Sequence, residues 1–163
     1  MKGKRLVAIV IALTGISSAS LTACSPTKEV TAAKQQLANE AVEAQDFTFE
    51  ATMVQPSRGI SRSLTAGYDL TVSKDTVTAY LPFFGRAYSA PISATDGGIK
   101  FTSTSFTYKA TPAKRGGYSI RIATNDTKER YELYLSISAS GYGTLTVSSN
   151  SKETISFSGR LKE

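Results

Sequence analysis

Residues 118–157 read YSIRIATNDTKERYELYLSISASGYGTLTVSSNSKETISF and form the most regular part of the chain. Large apolar side chains alternate with polar ones, and short clusters of Gly, Asn, Asp, Ser and Thr interrupt the alternation. A period of two is typical of a strand with one buried face, and such clusters are typical of hairpin turns. The pattern predicts hairpin-linked strands built on Tyr118-Ile120-Ile122, Tyr131-Leu133-Leu135-Ile137, Leu145-Val147 and Ile155-Phe157.

The same period of two extends back along the chain to Asp46. No helix-length segment separates the predicted strands, which argues against parallel pairing. We predict a mostly β domain with one N-terminal helix, in which an antiparallel meander of about eight or nine strands forms a curled sheet, either a barrel or a sandwich. The many large inward side chains predict a filled interior, not the open cavity of a carrier protein.

Before Asp46 the apolar residues recur at helical spacing, so residues 30–44 predict one amphipathic helix. Alanine brings little apolar surface, and we expect this helix to cover the sheet without contributing much burial energy. Its predicted apolar face consists of Val30, Ala33, Leu37, Ala41 and Ala44.

The first 23 residues have the composition of a secretory signal peptide, with basic residues before an apolar segment too short to cross a bilayer. Leu21-Thr22-Ala23-Cys24 resembles the bacterial lipobox, whose cysteine is acylated before the signal is removed. We expect residues 1–23 to be removed, Cys24 to carry acyl chains such as palmitate, residues 24–29 to form a tether and residues 30–163 to fold as a single domain. Ser25 implies, by resemblance to the usual sorting rule, anchoring in the outer membrane, and we expect the protein to face the periplasm.

Composition excludes several classes of protein. The formal net charge is +6, and loss of three basic residues with the signal leaves 6 − 3 = +3 on the mature chain. Because this charge is mild and scattered, we expect no nucleic-acid partner. The chain contains no histidine and one cysteine, so a Ser-His-Asp triad and a histidine-based metal site are impossible, and an acylated thiol is not a nucleophile. We predict no catalytic residue, no metal site and no cofactor.

One apolar stretch, Tyr80-Leu81-Pro82-Phe83-Phe84-Gly85-Arg86-Ala87-Tyr88, obeys neither period. Its part from residue 82 to residue 88 is called the aromatic loop below, because proline stops strand pairing and glycine permits a turn. Strand phase predicts that Phe83 points inward and Phe84 outward. We expect Arg86 to stack on Phe84 and Tyr88, and these three residues form the candidate binding surface for an envelope protein, peptide, glycan or lipid headgroup. The alternative is that the loop only plugs one end of the sheet.

Several segments together resemble one known family: Pro56-Ser57-Arg58-Gly59, Gly67-Tyr68-Asp69-Leu70, Leu81-Pro82-Phe83-Phe84-Gly85-Arg86-Ala87-Tyr88, Gly97-Gly98-Ile99-Lys100-Phe101 and the closing residues 154–159. Over nearly all of the mature chain, the sequence is similar to the lipoprotein family known as domain of unknown function 4251. The resemblance implies an exported lipoprotein with a mostly β fold, and it implies no activity. Phe83 stands where the family pattern leads us to expect tyrosine, and Ser151-Lys152-Glu153 replaces an Asn-Arg-Gln-like turn.

These observations favour a membrane-attached binding or accessory module of the cell envelope. A carboxylate-based hydrolase of envelope polymers is one alternative, and it needs paired carboxylates in a concave pocket. A structural component of an envelope assembly is the other, and an uncovered strand edge would favour it. The acidic residues available are Asp46, Glu50, Asp69, Asp75, Asp96, Asp126, Glu129, Glu132 and Glu153, all on polar strand positions or in predicted turns.

Asp75-Thr76-Val77 fits a short O-glycosylation pattern and makes Thr76 a candidate for modification. The alternative interpretation is a turn followed by the start of a strand.

Overall fold

The structure is a computed structural model, and it describes residues 27–88, 97–114 and 116–162. The predicted signal peptide, Cys24, Asp96 and the start of the tether lie outside the described residues. The described elements are α1 (Thr27–Ala44), β1 (Phe47–Pro56), β2 (Arg62–Ser63), β3 (Asp69–Ser73), β4 (Thr76–Leu81), β5 (Ile99–Ser103), β6 (Phe106–Pro112), β7 (Tyr118–Thr124), β8 (Tyr131–Ile137), β9 (Tyr142–Ser149) and β10 (Ile155–Leu161).

The strands pair in the order β5-β4-β3-β1-β10-β9-β8-β7-β6, and the short β2 pairs with β1. Every one of these pairings is antiparallel. The predicted mostly β, antiparallel fold is therefore confirmed, and the sheet is nearly closed into a barrel. β1 and β10 pair with each other although they are the first and last long strands of the chain.

Closure depends on how β5 and β6 meet. Only Thr104 and Ser105 separate them, yet among the described strands β5 pairs with β4 alone and β6 with β7 alone. The order from β5 to β6 contains nine strands, and each runs antiparallel to the next. The first and the last, β5 and β6, therefore run in the same direction. The expected pairing of sequence neighbours is wrong here: β5 and β6 are two halves of one bent strand that changes partner. The edge of β5 that faces away from β4 consequently has no ladder partner within the described part of the chain.

The interior of the barrel is filled by the alternate apolar side chains that the period of two predicted. Phe49 and Phe157 are its largest fully buried side chains. Gly159 permits the close approach of β10 to β1, because an added Cβ would collide with the carbonyl oxygen of Glu50. Other buried members are Leu70, Val72, Val77, Leu81, Ile99, Ile120, Ile122, Leu133, Leu135, Leu145, Val147 and Ile155.

Helix α1 ends in a Schellman-type cap immediately before β1. Gln45 adopts a left-handed conformation with φ of 55°, and the N–H of Asp46 donates to the carbonyl oxygen of Ala41 at 2.9 Å. Within the described residues the helix runs from Thr27, three residues before the predicted start.

The predicted apolar face of α1 is wrong in its rotation. Leu37 is 66% exposed, whereas Val42, outside the predicted stripe, is fully buried. Tyr108 of β6 donates its hydroxyl hydrogen to the Val42 carbonyl oxygen at 2.9 Å, and Tyr118 of β7 donates to the Glu43 carboxylate. A helix face made mostly of alanine gains little free energy from burial. These contacts with the barrel therefore decide which face of α1 points toward the sheet. We call this end of the barrel the helix end, and the opposite end, where β4 finishes and β8 begins, the loop end.

Candidate functional site

The aromatic loop crosses the loop end of the barrel. It leads from the end of β4 to the turn between β9 and β10, and in the sheet order β3 and β1 lie between β4 and β10. There Ala87 and Lys152 form an antiparallel bridge, the Tyr88 N–H donates to Ser151 O at 2.8 Å, and the Glu153 N–H donates to Arg86 O at 3.1 Å. The far part of the loop is therefore held by backbone hydrogen bonds to a turn about 65 residues further along the chain.

Phe83 and Phe84 point in opposite directions, as strand phase suggested. Phe83 is half-buried and packs against the core, while Phe84 is 37% exposed. A Cβ on Gly85 would lie 2.8 Å from Cζ of the Phe83 ring, so the ring folds over the glycine and a larger residue there would displace it. Phe83 thus fills part of the loop end.

The expected stacking of Arg86 on Phe84 is wrong. The cation over the Phe84 ring is Arg62 of β2, with its guanidinium carbon 5.1 Å from the ring centroid. The Arg86 backbone is instead engaged with Glu153, which accepts its N–H at 3.3 Å and donates to its carbonyl oxygen. Tyr88 is 69% exposed. The three residues of the candidate binding surface are therefore all exposed along the loop, without the predicted cation-π contact joining them.

A cleft of about 830 Å³ lies beneath the aromatic loop. One wall comes from the loop and one from β5, and the others come from the β7–β8 turn and the β9–β10 turn. Its volume lies within the usual range for ligand sites. The lining includes Phe83, Gly85, Ala87, Lys100, Phe101, Thr102, Asp126, Thr127, Lys128, Glu129, Tyr131, Asn150, Ser151 and Lys152.

The polar centre of this cleft is an ion pair between the two turns. Lys152 Nζ lies 2.7 and 2.9 Å from the Glu129 carboxylate oxygens, and Tyr131 Oη donates to the same carboxylate at 2.8 Å. Burial raises the pKa of Glu129, but hydrogen bonds from Lys152, Ser151 and Tyr131 outweigh it, and the pKa falls below its usual value. Burial and the bond to Glu129 raise the pKa of Tyr131. The Tyr131 ring stacks on Phe101 of β5, with 4.6 Å between ring centroids.

A second carboxylate holds the bend between β5 and β6. Asp126 accepts the N–H groups of Thr104 and Ser105 at 2.8 and 3.0 Å, the Thr104 hydroxyl at 3.1 Å, and the Ser103 hydroxyl. The Ser103 hydrogen bond, followed by that from the Thr104 N–H, lowers the pKa of Asp126 from 3.8 to about 2. Asp126 therefore stabilises the bend through contacts that the interrupted ladder does not make.

On the outer face beside the cleft, three side chains stack in a row: Tyr68 just before β3, Tyr80 of β4 and Lys100 of β5. Tyr68 and Tyr80 are nearly parallel with centroids 5.7 Å apart, and Lys100 Nζ lies 4.9 Å from the Tyr80 centroid. The ring faces of Tyr80 are thus occupied by its neighbours.

Sequence reasoning included Glu129 and Asp126 among the acidic residues but did not place them in a cleft. Lys152, which pairs with Glu129, and the β5–β6 bend, which binds Asp126, lie 21 to 23 residues away along the chain, so no local spacing reveals these contacts. The one available signal was the departure of Ser151-Lys152-Glu153 from the family's turn. Thr76 lies at the start of β4, opposite Ser73, and is half-buried. Cys24 lies outside the described residues.

The model of the family described as Domain of unknown function (DUF4251) matches residues 29–161. The chain belongs to this family. A crystal structure of a DUF4251 family protein from Bacteroides eggerthii is similar, with a TM-score of 0.61, 20% sequence identity, and coverage of 82% of this chain and 89% of that one. At this identity the likeness shows the fold alone.

No curated protein matches the chain. Within residues 27–88, 97–114 and 116–162, no helix has the length and apolar character needed to span a bilayer. The same residues contain no group of three or more Cys, Asp or Glu side chains placed to hold a metal ion.

Proposed function

We propose that this DUF4251 protein is a lipid-anchored binding module of the cell envelope that acts through the cleft beneath the aromatic loop. The observation that carries the proposal is the cleft itself, in which four separate segments of the chain converge on a network fixed by ion pairing and stacking. Preformed concave sites with a few oriented polar groups are typical of ligand binding.

The position of the anchor supports this assignment. Cys24 precedes the first helical residue, Thr27, by three positions, and α1 packs at the helix end of the barrel. The cleft lies at the opposite end. Lipid on Cys24 would attach the molecule near its helix, and the cleft would remain accessible on the far side of the barrel.

The hydrolase alternative requires one carboxyl that stays protonated and donates to the leaving group. Asp126 and Glu129 both line the cleft, but the pKa of each is lowered and both are bound to neighbouring groups. These carboxylates supply charge and structure to the cleft and are poor proton donors at neutral pH. The geometry therefore supports binding better than hydrolysis.

Membrane attachment is tested by Cys24→Ala. We expect an uncleaved or mislocalised precursor, because acylation of the thiol precedes removal of the signal. Fractionation of cells and the size of the mature chain provide the measurement, with Ser25→Ala as the control. Normal processing before residue 24 together with unchanged membrane association would contradict the assignment.

Binding through the cleft is tested by photo-crosslinking in cells. A photoreactive amino acid replaces Thr102, an exposed cleft residue of β5, or Thr107, an exposed residue of β6 that does not line the cleft. We expect specific adducts from position 102 and not from position 107. Identical adduct patterns at both positions would refute a ligand site in the cleft.

A further inference from the structure

We infer that the cleft receives an extended acidic peptide segment, which adds a strand to the edge of β5 that has no ladder partner among the described residues. The inference rests on the proposed function and names the ligand class of the same site. Its basis is the position of the β5 edge, the charge of the cleft and the alternation of polar and apolar groups along β5.

The cleft opens along the edge of β5 that faces away from β4, where no strand of the described part of the chain pairs. Lys100, Phe101 and Thr102 line it, no residue of β4 does, and the opposite wall comes from the β7–β8 turn. β4 therefore occupies one edge of β5, and the cleft lies against the other. An extended peptide can use such an edge by forming main-chain hydrogen bonds with it.

The available length of this edge has a defined limit. Beyond Ser103, the N–H groups of Thr104 and Ser105 already donate to Asp126, and the Ser105 carbonyl oxygen accepts the Asn125 N–H at 2.8 Å. The open edge is thus confined to β5, which has five residues. A bound segment of about five to seven residues matches the usual length of a strand.

The charge of the cleft favours an acidic segment. Three lysines line it, Lys100, Lys128 and Lys152, against two carboxylates. Glu129 is paired with Lys152, and Asp126 keeps its negative charge but directs it at the N–H and hydroxyl groups of the β5–β6 bend, so the side chains that line the cleft carry a net charge of 3 − 2 = +1. Lys128 is exposed at the rim, and Lys100, also exposed, holds its ammonium group over the Tyr80 ring beside it, so both place positive charge next to the cleft for a negatively charged ligand.

The side chains of β5 alternate in a way that a strand would match. Lys100 and Thr102 are exposed, whereas Phe101 is half-buried and stacks on Tyr131 inside the cleft wall. A peptide in which acidic and apolar residues alternate would direct its acids toward the rim lysines and its apolar side chains toward the aromatic wall. An acidic glycan would satisfy the charges but would leave the main-chain groups of the β5 edge without strand partners.

The test uses the purified full-length chain in detergent and a blocked hexapeptide, acetyl-Glu-Val-Glu-Val-Glu-Val-amide, measured by titration calorimetry. Two N-methylated versions carry methyl groups on the amides of one edge or of the other edge. We expect the parent peptide to bind at millimolar concentration, one methylated version to lose binding at least tenfold, and the other to retain it. Lys128→Ala should weaken binding about tenfold. The control is Lys74→Ala, which removes an exposed lysine from the turn at the helix end and should leave binding unchanged.

Two further ligands serve as comparisons. Tetragalacturonate represents an acidic glycan, and the corresponding lysine-valine hexapeptide is a strand of opposite charge. Equal loss or equal retention in both methylated peptides overturns strand addition, and so does binding of tetragalacturonate without the peptide. Absence of peptide binding, with cross-linking at position 102 still specific, overturns the ligand class and leaves the proposed function intact. Loss of specific cross-linking at position 102 would refute the proposed function as well.

Discussion

The two ends of the barrel are closed in different ways. At the helix end, α1 inserts the fully buried Val42 and receives hydrogen bonds from two tyrosine hydroxyls. At the loop end, the half-buried Phe83 fills part of the opening, and backbone hydrogen bonds to the β9–β10 turn hold the far part of the aromatic loop. At the helix end α1 packs on the barrel through Val42, whereas the loop end is spanned by a bridge that leaves a cleft beneath it. Binding is therefore expected at the loop end.

The largest expected loss of stability comes from the part of the aromatic loop that packs at the loop end, and not from the exposed face of the same loop. Phe83→Ala removes a ring that contacts the core and should destabilise the domain by about 2 to 4 kcal/mol, somewhat below a fully buried phenylalanine. Val42→Ala, at the helix end, should cost about 1 to 2 kcal/mol because fewer atoms are removed. Urea unfolding of the domain from residue 27 onward provides both values. A loss under 1 kcal/mol for Phe83→Ala would mean that the loop does not fill the barrel.

The second effect concerns the ion pair that joins the two turns of the cleft. Lys152→Met leaves the Glu129 carboxylate without its cation and should destabilise by about 1 to 3 kcal/mol, reduced from the fully buried value because the Glu129 side chain is 30% exposed. The double variant Lys152→Met/Glu129→Gln should recover part of this loss. Additive losses in the double-mutant cycle would show that the pair does not couple the two turns.

The sequence predicted the strands well and the site poorly, and the difference has a physical cause. Alternation fixes which side chains of β7 to β10 point inward, because burial on one face is a property of each strand alone. The bridge from Ala87 to Lys152 and the contact between Asp126 and Thr104 depend on how distant turns meet once the barrel has closed. The rotation of α1 was mispredicted for a related reason: Leu37 looked like a core residue, but tyrosine hydroxyls from two strands selected the Val42 side.

The third effect is a pH dependence located at the bend of the β5–β6 strand. The pKa of Asp126 is lowered to about 2 in the folded protein against 3.8 ordinarily. Its contribution to stability is therefore present above about pH 4 and is lost as the pH falls toward 2. Asp126→Asn should be less stable than the wild type at pH 6, and the difference should shrink between pH 4 and pH 2. Asp75→Asn, at the exposed β3–β4 turn, is the control, and a difference that persists unchanged at pH 2 would contradict the assignment.

The smallest expected effect is that of Phe84→Ala. Its ring is partly exposed and contacts Arg62, so truncation should cost less than about 1 kcal/mol. The same variant tests the candidate binding surface of Phe84, Arg86 and Tyr88. If Phe84→Ala weakens cross-linking from position 102, the binding site includes this outer face of the loop. A loss equal to that of Phe83→Ala would instead show that the whole loop is a plug.

Amide hydrogen exchange tests most directly whether the aromatic loop is held across the barrel end and so forms a wall of the cleft. The N–H groups of Tyr88 and Glu153 donate to Ser151 and Arg86, whereas the Gly59 N–H belongs to an exposed turn and serves as the reference. We predict exchange at Tyr88 and Glu153 at least one hundredfold slower than at Gly59, after correction for intrinsic rates, which corresponds to about 2.7 kcal/mol of local stability. Exchange of all three amides at the same corrected rate would contradict the account, because the loop would then be free and the cleft would have no fixed wall.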